Sequence, residues 1–144
     1  MWPVLTWAVI ISVFSTKAFT SDNTASFFIP ILHWLLPKAS FAALFRIHHY
    51  IRKCGHFSEY FIFSLLILRA IRGGRNTTHL AWALAAIGIV AAYAILDEFH
   101  QSFVPGRTPA VMDVLIDASG GAAAQAIAAL ILLWGHVRGR QNKA

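Results

Sequence analysis

Apolar residues run along this chain in four long blocks, separated by short polar or proline–glycine stretches. A bilayer core is about 30 Å thick and takes roughly 20 apolar residues as a helix, with a working range of about 17–25. The first block, from about Trp2 to Phe19, is the weakest, because Lys17 closes it early and Ser12, Ser15 and Thr16 dilute it. The second runs from about Lys53 to Ile71, the third from about Thr78 to His100, and the fourth from Pro109 to about Trp134. Arg69, Arg72 and Arg75 with Gly73-Gly74 mark a tight turn after the second block. Val104-Pro105-Gly106-Arg107 fits a type II turn after the third, with Pro presetting φ and Gly supplying φ > 0. Thr108 then reads as an N-cap and Pro109 as the first helical residue.

The connection from Thr20 to Arg52 is long. Ser21-Asp22-Asn23-Thr24 reads as a turn. Phe27 to Leu36 is strongly apolar, but Pro30 and Pro37 bracket it and it is too short to span. Phe41, Leu44, Phe45 and His48 fall at helical spacing, with Arg46, His49 and Arg52 off that stripe. The pattern predicts one or two interfacial helices lying on the membrane, or a cap over the bundle. The fold class that follows is all-α: an integral membrane bundle of four transmembrane helices, with an interfacial helical connection between the first and second.

Composition agrees. Of 144 residues, 58% are hydrophobic and 12% charged, against about 25% charged in a soluble domain. The single cysteine, Cys54, excludes an intramolecular disulfide and a multi-cysteine metal site. The net charge is +6, but no basic, aromatic-interleaved run accompanies it, so nucleic acid is not expected as a partner. The basic residues sit mostly in connections and near helix ends, where anionic headgroups attract them. The first block has no early Lys or Arg, so it reads as a retained anchor helix rather than a leader. Four spans place both termini on one side with the Arg72–Arg75 loop. Basic residues divide equally between the two sides, but that loop and the tail are dense in Arg, which favours cytoplasmic termini and polar motifs on the outer face.

Of the six carboxylates, only Asp22 lies in an ordinary connection. Placing an Asp near the centre of a span costs about 2.5–3.5 kcal/mol on the insertion scale, so such residues turn inward, pair, and mark function. On the second block Lys53, His56 and Tyr60 stand at i, i+3 and i+7, with Glu59 beside them. On the third, Asp97, His100 and Gln101 stand at i, i+3 and i+4, with Glu98 adjacent. On the fourth, Asp113 and Asp117 at i and i+4 lead to Gly120, Gly121 and Gln125. Residues three and four apart are helical neighbours, so three polar stripes converge at one end of the bundle, where they form either a functional site or an internal ion-pair network. No HExxH motif is present, and Lys53 and Arg107 neutralise the acids that a hard cation would need, so neither metal nor cofactor is expected. Arg107, ahead of the fourth helix's N-terminus, suits either a phosphate or carboxylate ligand or an ion pair to Asp97, Glu98 or Asp113. Gly120 to Ala124 allows close helix approach within the bundle, or less readily in a homodimer.

At these residues the sequence resembles the VanZ-like family, whose namesake is associated with resistance to the glycopeptide teicoplanin. Arg52-Lys53-Cys54-Gly55-His56-Phe57-Ser58-Glu59-Tyr60 looks like its first motif. Asp97-Glu98-Phe99-His100-Gln101 through Pro105-Gly106-Arg107 looks like its second, and Asp113-Val114-Leu115-Ile116-Asp117 with Gly120 its third. Many members carry Asn at the position of Asp117. The resemblance implies a multi-pass protein of the bacterial plasma membrane, with a VanZ-like domain over residues 1–137 and a basic tail over 138–144. It supplies no settled reaction.

Three functions compete. The first is an envelope enzyme or binding protein for an anionic, lipid-linked molecule, linked to glycopeptide susceptibility. Lys53, Tyr60, Arg107, Asp117 and Glu59 would form the ligand site, with Arg107 and Lys53 on the anionic group; Asp97, Glu98, His56, Gln101 and Asp113 are the catalytic candidates, with Asp97 or Glu98 paired with His56 or His100 as general acid and base. The second is a small transporter or proton-coupled accessory protein using Glu59, Asp117 and Gln125 as a relay. The third is a cluster that only fixes helix packing.

Overall fold

The computed structural model describes residues 1–75, 77 and 79–141. Among them are five α-helices, one 3-10 turn and no strand. Helix α1 (Trp2–Phe14) has Pro at its first turn, where the missing N–H costs nothing. Its 13 residues rise only about 20 Å, and the 3-10 turn Lys17–Phe19 follows. The expected first span therefore stops short of a bilayer's thickness.

Helix α2 (Ser21–Leu35) begins with the Thr20 side chain accepting from the Asn23 N–H, and Asp22 lies in its first turn. The expected turn at Ser21–Thr24 is thus a helix start. Short polar side chains suit both roles, and here the cap prevails. Pro30 lies inside this helix rather than ending it.

Helix α3 (Phe41–Arg72) is one continuous helix of 32 residues, about 48 Å long. Ser40 caps it by accepting from the Ala43 N–H, and Gly73 closes it at φ 57°, its N–H donating to the Arg69 carbonyl. The separate interfacial helix expected over Phe41–Ile51 is instead the first third of α3. The one weak former near Lys53 is Gly55, and a glycine in a helix costs only about 1 kcal/mol. Helix α2 packs back against this first third, with Thr24 bonded to His48 and Arg52.

Helix α4 (Leu80–Gln101) leads into the expected type II turn: Arg107 N–H donates to the Val104 carbonyl at 3.1 Å, and Gly106 has φ 82°. Helix α5 (Val111–Gln141) starts two residues after Pro109, so Thr108 is not its cap. Its start is set from outside, because the Glu98 carboxylate on α4 accepts from the Ala110 N–H at 2.9 Å. Helix α5 also runs past Trp134 into the expected tail.

Three stretches are long and apolar enough to cross a membrane: Phe41–Arg72, Leu80–Gln101 and Val111–Gly135. They run up, down and up as successive antiparallel helices. Helix α1 lies parallel to α4, since Tyr93 meets Ala8 and Ser12 while Asp97 meets Ser15. The core joins Ile11, Tyr60, Phe63 and Ile67 to Ala86, Val90 and Ala94, which recur every fourth residue on α4. Gly120 and Gly121 let α5 approach: a Cβ on Gly120 would strike the Phe57 carbonyl of α3, and one on Gly121 would lie 2.7 Å from Val90. The small-residue stripe is therefore used within the chain. Leu84, Leu96, Phe99, Leu115, Leu130 and Leu133 are exposed, while Ser64, Asp97, Glu98, Gln101, Asp117 and Gln125 are buried. Polar groups inside and large apolar groups outside is the arrangement a lipid solvent selects.

Candidate functional site

A cavity of about 240 Å³ opens where the C-terminal end of α1, α2 and the middle of α3 meet the α4–α5 connection. Phe14, Phe19, Phe28 and Ile51 form its apolar wall, and Arg52, His56, Glu59 and Arg107 its polar one. On α3 the residues Arg52, Gly55, His56 and Glu59 stand at i, i+3, i+4 and i+7, so one helical stripe supplies one side.

The two guanidiniums converge. Arg52 Nη1 and Arg107 Nη2 both donate to the Phe19 carbonyl, each at 2.9 Å. Arg52 also donates to Thr24 Oγ1 at 3.0 Å. Arg107 further reaches the Phe14 carbonyl at 2.5 Å and Gln101 Oε1 at 2.9 Å, and so ties α1 to α4. Among the described residues neither guanidinium pairs with a carboxylate, and the buried Arg107 Nε has no partner. Of the two readings of Arg107, the ion pair to Asp97, Glu98 or Asp113 does not form, because the carbonyls of Phe14 at the end of α1 and of Phe19 in the 3-10 turn take its donors instead. Desolvation and then the Arg52 charge push the Arg107 pKa below the usual guanidinium value, which starts high enough that the group stays cationic. Two guanidiniums around one carbonyl place positive charge at the cavity, in the same lining as the Glu59 carboxyl.

The acids of α4 sit behind this wall. Asp97 accepts from Ser15 at 2.5 Å and from Gln101 at 2.9 Å. Glu98 spends one oxygen on Ala110, so the free N-terminus expected to bind an external anion is occupied by the chain's own carboxylate. Replacing Glu98 with Ala should lower stability by about 1–2 kcal/mol in a denaturant titration, as loss of a cap does. Glu98→Gln, which keeps an acceptor for Ala110, should stay near the native value.

Lys53 pairs with Asp113 outside the cavity lining. Tyr60 is fully buried in the core beside Phe63 and Tyr93. Asp117, 0% exposed, lies 3.4 Å from His56 Nδ1 without hydrogen-bond alignment, and has no hydrogen bond among the described residues. Gln125 is held by Ser64, whose hydroxyl donates to the Gly121 carbonyl. The suggested Glu59–Asp117–Gln125 relay therefore ends in a helix clamp. No cluster of three or more metal-ligating side chains occurs among the described residues.

The structure thus brings His56, Glu59 and Arg107 to the cavity, places Asp97, Glu98, Gln101 and Asp117 in supporting positions, and sets Lys53, Asp113 and Tyr60 apart from its lining. Sequence reasoning passed over Arg52, because the stripe beginning at Lys53 was read in place of its neighbour one residue earlier. The 52, 55, 56, 59 spacing held that signal. Ser15 and Thr24 carried none.

A family model described as VanZ/LLP1 matches residues 2–133. No curated protein and no solved structure matches the chain.

Proposed function

The chain belongs to the VanZ/LLP1 family, and from that premise we propose that its cavity holds the anionic headgroup of a lipid-linked amphiphile, in the outer leaflet of a bacterial plasma membrane. The observation that carries this reading is the convergence of Arg52 and Arg107 on one carbonyl, without an acidic partner, beside an aromatic wall. Guanidiniums match phosphate and carboxylate oxygens in geometry as well as charge, and the phenyl groups of Phe14, Phe19 and Phe28 suit the first carbons of a lipid chain. In this reading α1 and its 3-10 turn add a fourth, thin crossing, and both termini are cytoplasmic. A bearing on glycopeptide susceptibility belongs to the same reading, through competition for a lipid-linked envelope intermediate.

The test is binding of farnesyl phosphate to the full chain in neutral nanodiscs. Arg52→Gln should weaken it by about tenfold or more, the loss expected for one charge-assisted contact. Lys53→Gln, whose partner is Asp113, should change it little. Equal affinity for farnesyl phosphate and uncharged farnesol would remove the reading.

A further inference from the structure

The opposite end of the bundle carries a second polar feature. A hollow of about 280 Å³ opens where the end of α3 and the turn after it meet α5. Arg69, Arg72 and Arg75 supply its polar lining, and Leu65, Leu68 and Ala128 its apolar one. Two of the arginines hold each other. Arg72 donates from Nε and Nη2 to the Arg75 carbonyl, at 2.9 and 2.6 Å, and the Arg75 N–H returns to the Arg72 carbonyl at 3.2 Å. Gly73 and Gly74, at φ 57° and 84°, allow that fold-back. The guanidinium of Arg69 has no hydrogen bond or ion pair among the described residues. That of Arg75 lies 5.5 Å from the Trp82 ring centroid, and that of Arg138 lies 4.0 Å from the Trp134 ring centroid. Tryptophan settles at headgroup depth, so these rings put the hollow at the membrane–water interface.

The charge there is unbalanced. All six side-chain carboxylates lie towards the other end, and the nearest along α3, Glu59, is about 15 Å from Arg69 by helical rise. The C-terminal end of α3 contributes about half a unit of negative charge, which accounts for one arginine and not for three around one hollow. Membrane topology is served equally well by arginines pointing into water. It does not require Arg72 to be half-buried and folded back on its neighbour. A lipid phosphate does need such an arrangement: donors fixed in advance, at headgroup depth, beside an apolar surface for the acyl chains. We propose that this hollow binds the phosphate of an anionic phospholipid of the phosphatidylglycerol class, taken from the leaflet at this end of the bundle. That leaflet is the cytoplasmic one in the orientation given above, and the binding is independent of the outer cavity. Arg69 and Arg75 take the phosphate oxygens, Arg72 fixes the turn that positions them, and Leu65 and Ala128 meet the first carbons of the chains. The ammonium of a zwitterionic headgroup meets the same guanidiniums as a like charge, which sets the preference. A lipid held there bridges the α3–α4 turn to α5.

The experiment counts the lipids retained by the full chain in native mass spectrometry, from detergent micelles carrying phosphatidylglycerol or phosphatidylcholine, with thermal unfolding measured alongside. Phosphatidylglycerol should be retained in preference to phosphatidylcholine. Arg69→Gln should weaken that retention about fivefold, the worth of one cation at a membrane surface. Its unfolding without lipid should stay close to native, because this guanidinium holds nothing in the protein. Arg46→Gln removes the same charge from the exposed first third of α3, and should leave retention within about twofold of native. Equal loss in Arg46→Gln means diffuse attraction by net charge and overturns the proposal. Loss in Arg52→Gln but not in Arg69→Gln puts the lipid in the outer cavity, which overturns this site and leaves the reading of that cavity standing. Glycerophosphoglycerol, the headgroup without its chains, bound as tightly as the lipid overturns the assignment to a phospholipid. Equal retention of the two lipids overturns the charge recognition itself.

Discussion

Gly120→Val abolishes the stable bundle, while Gly88→Ala leaves it intact or slightly firmer. A Cβ at residue 120 runs into the backbone carbonyl of Phe57, which is itself fixed in the hydrogen-bond ladder of α3. A side chain can yield to an added methyl by changing rotamer, but a helical carbonyl yields only if α3 and α5 separate. That separation pulls apart the Ser64–Gly121 and Ser64–Gln125 bonds one turn further along. Overpacking costs about 1–3 kcal/mol even where side chains give way, so a cost of about 3 kcal/mol or more is expected here. At Gly88 an added Cβ meets nothing within 4 Å, and Ala is the better helix former by about 1 kcal/mol. Thermal or denaturant unfolding of the two variants in the same detergent checks the pair. A Gly120→Val protein as stable as Gly88→Ala would mean that α3 and α5 do not pack through this residue.

Arg107→Leu should detach α1 and remove headgroup binding together. The guanidinium donates to the carbonyls of Phe14 and Phe19 and to Gln101, and so closes the end of α1 onto α4. A hydrogen bond from a charged group contributes about 1.5–3 kcal/mol, and Leu leaves the Phe14 carbonyl and Gln101 Oε1 without this donor, while the Phe19 carbonyl keeps Arg52. The expected loss is about 1.5–3 kcal/mol, the range for hydrogen bonds from a charged group at a half-buried site. Limited proteolysis should then cut between α1 and α2, at Ser15–Thr20, where the native chain resists. Arg107→Lys should not restore it, because an ammonium is a compact charge and cannot address the separate acceptors at once. Native-like protection in Arg107→Leu would show that the apolar face of α1, with its Ser15–Asp97 and Tyr93 hydrogen bonds, holds it without the guanidinium.

Much of this was legible along the chain. The long apolar blocks, the glycine turn after Arg72 and the Pro105-Gly106 turn are local matters of burial and backbone freedom, so composition and spacing determine them. The family motifs around His56, Asp97 and Asp113 likewise mark which residues matter, since ionisable groups persist in apolar helices only when something holds them. Partners are another matter. Whether Arg107 meets a carboxylate or the end of α1, whether Glu98 faces a ligand or Ala110, and whether Arg52 or Lys53 turns to the cavity each depends on a few ångströms between helices far apart in sequence. A hydrogen bond is satisfied by whichever acceptor arrives first in space, and one residue of helix is about 100° of rotation. Sequence therefore determined the membrane fold and the list of polar residues, while tertiary packing alone decided which of them line the cavity and which hold the helices around it.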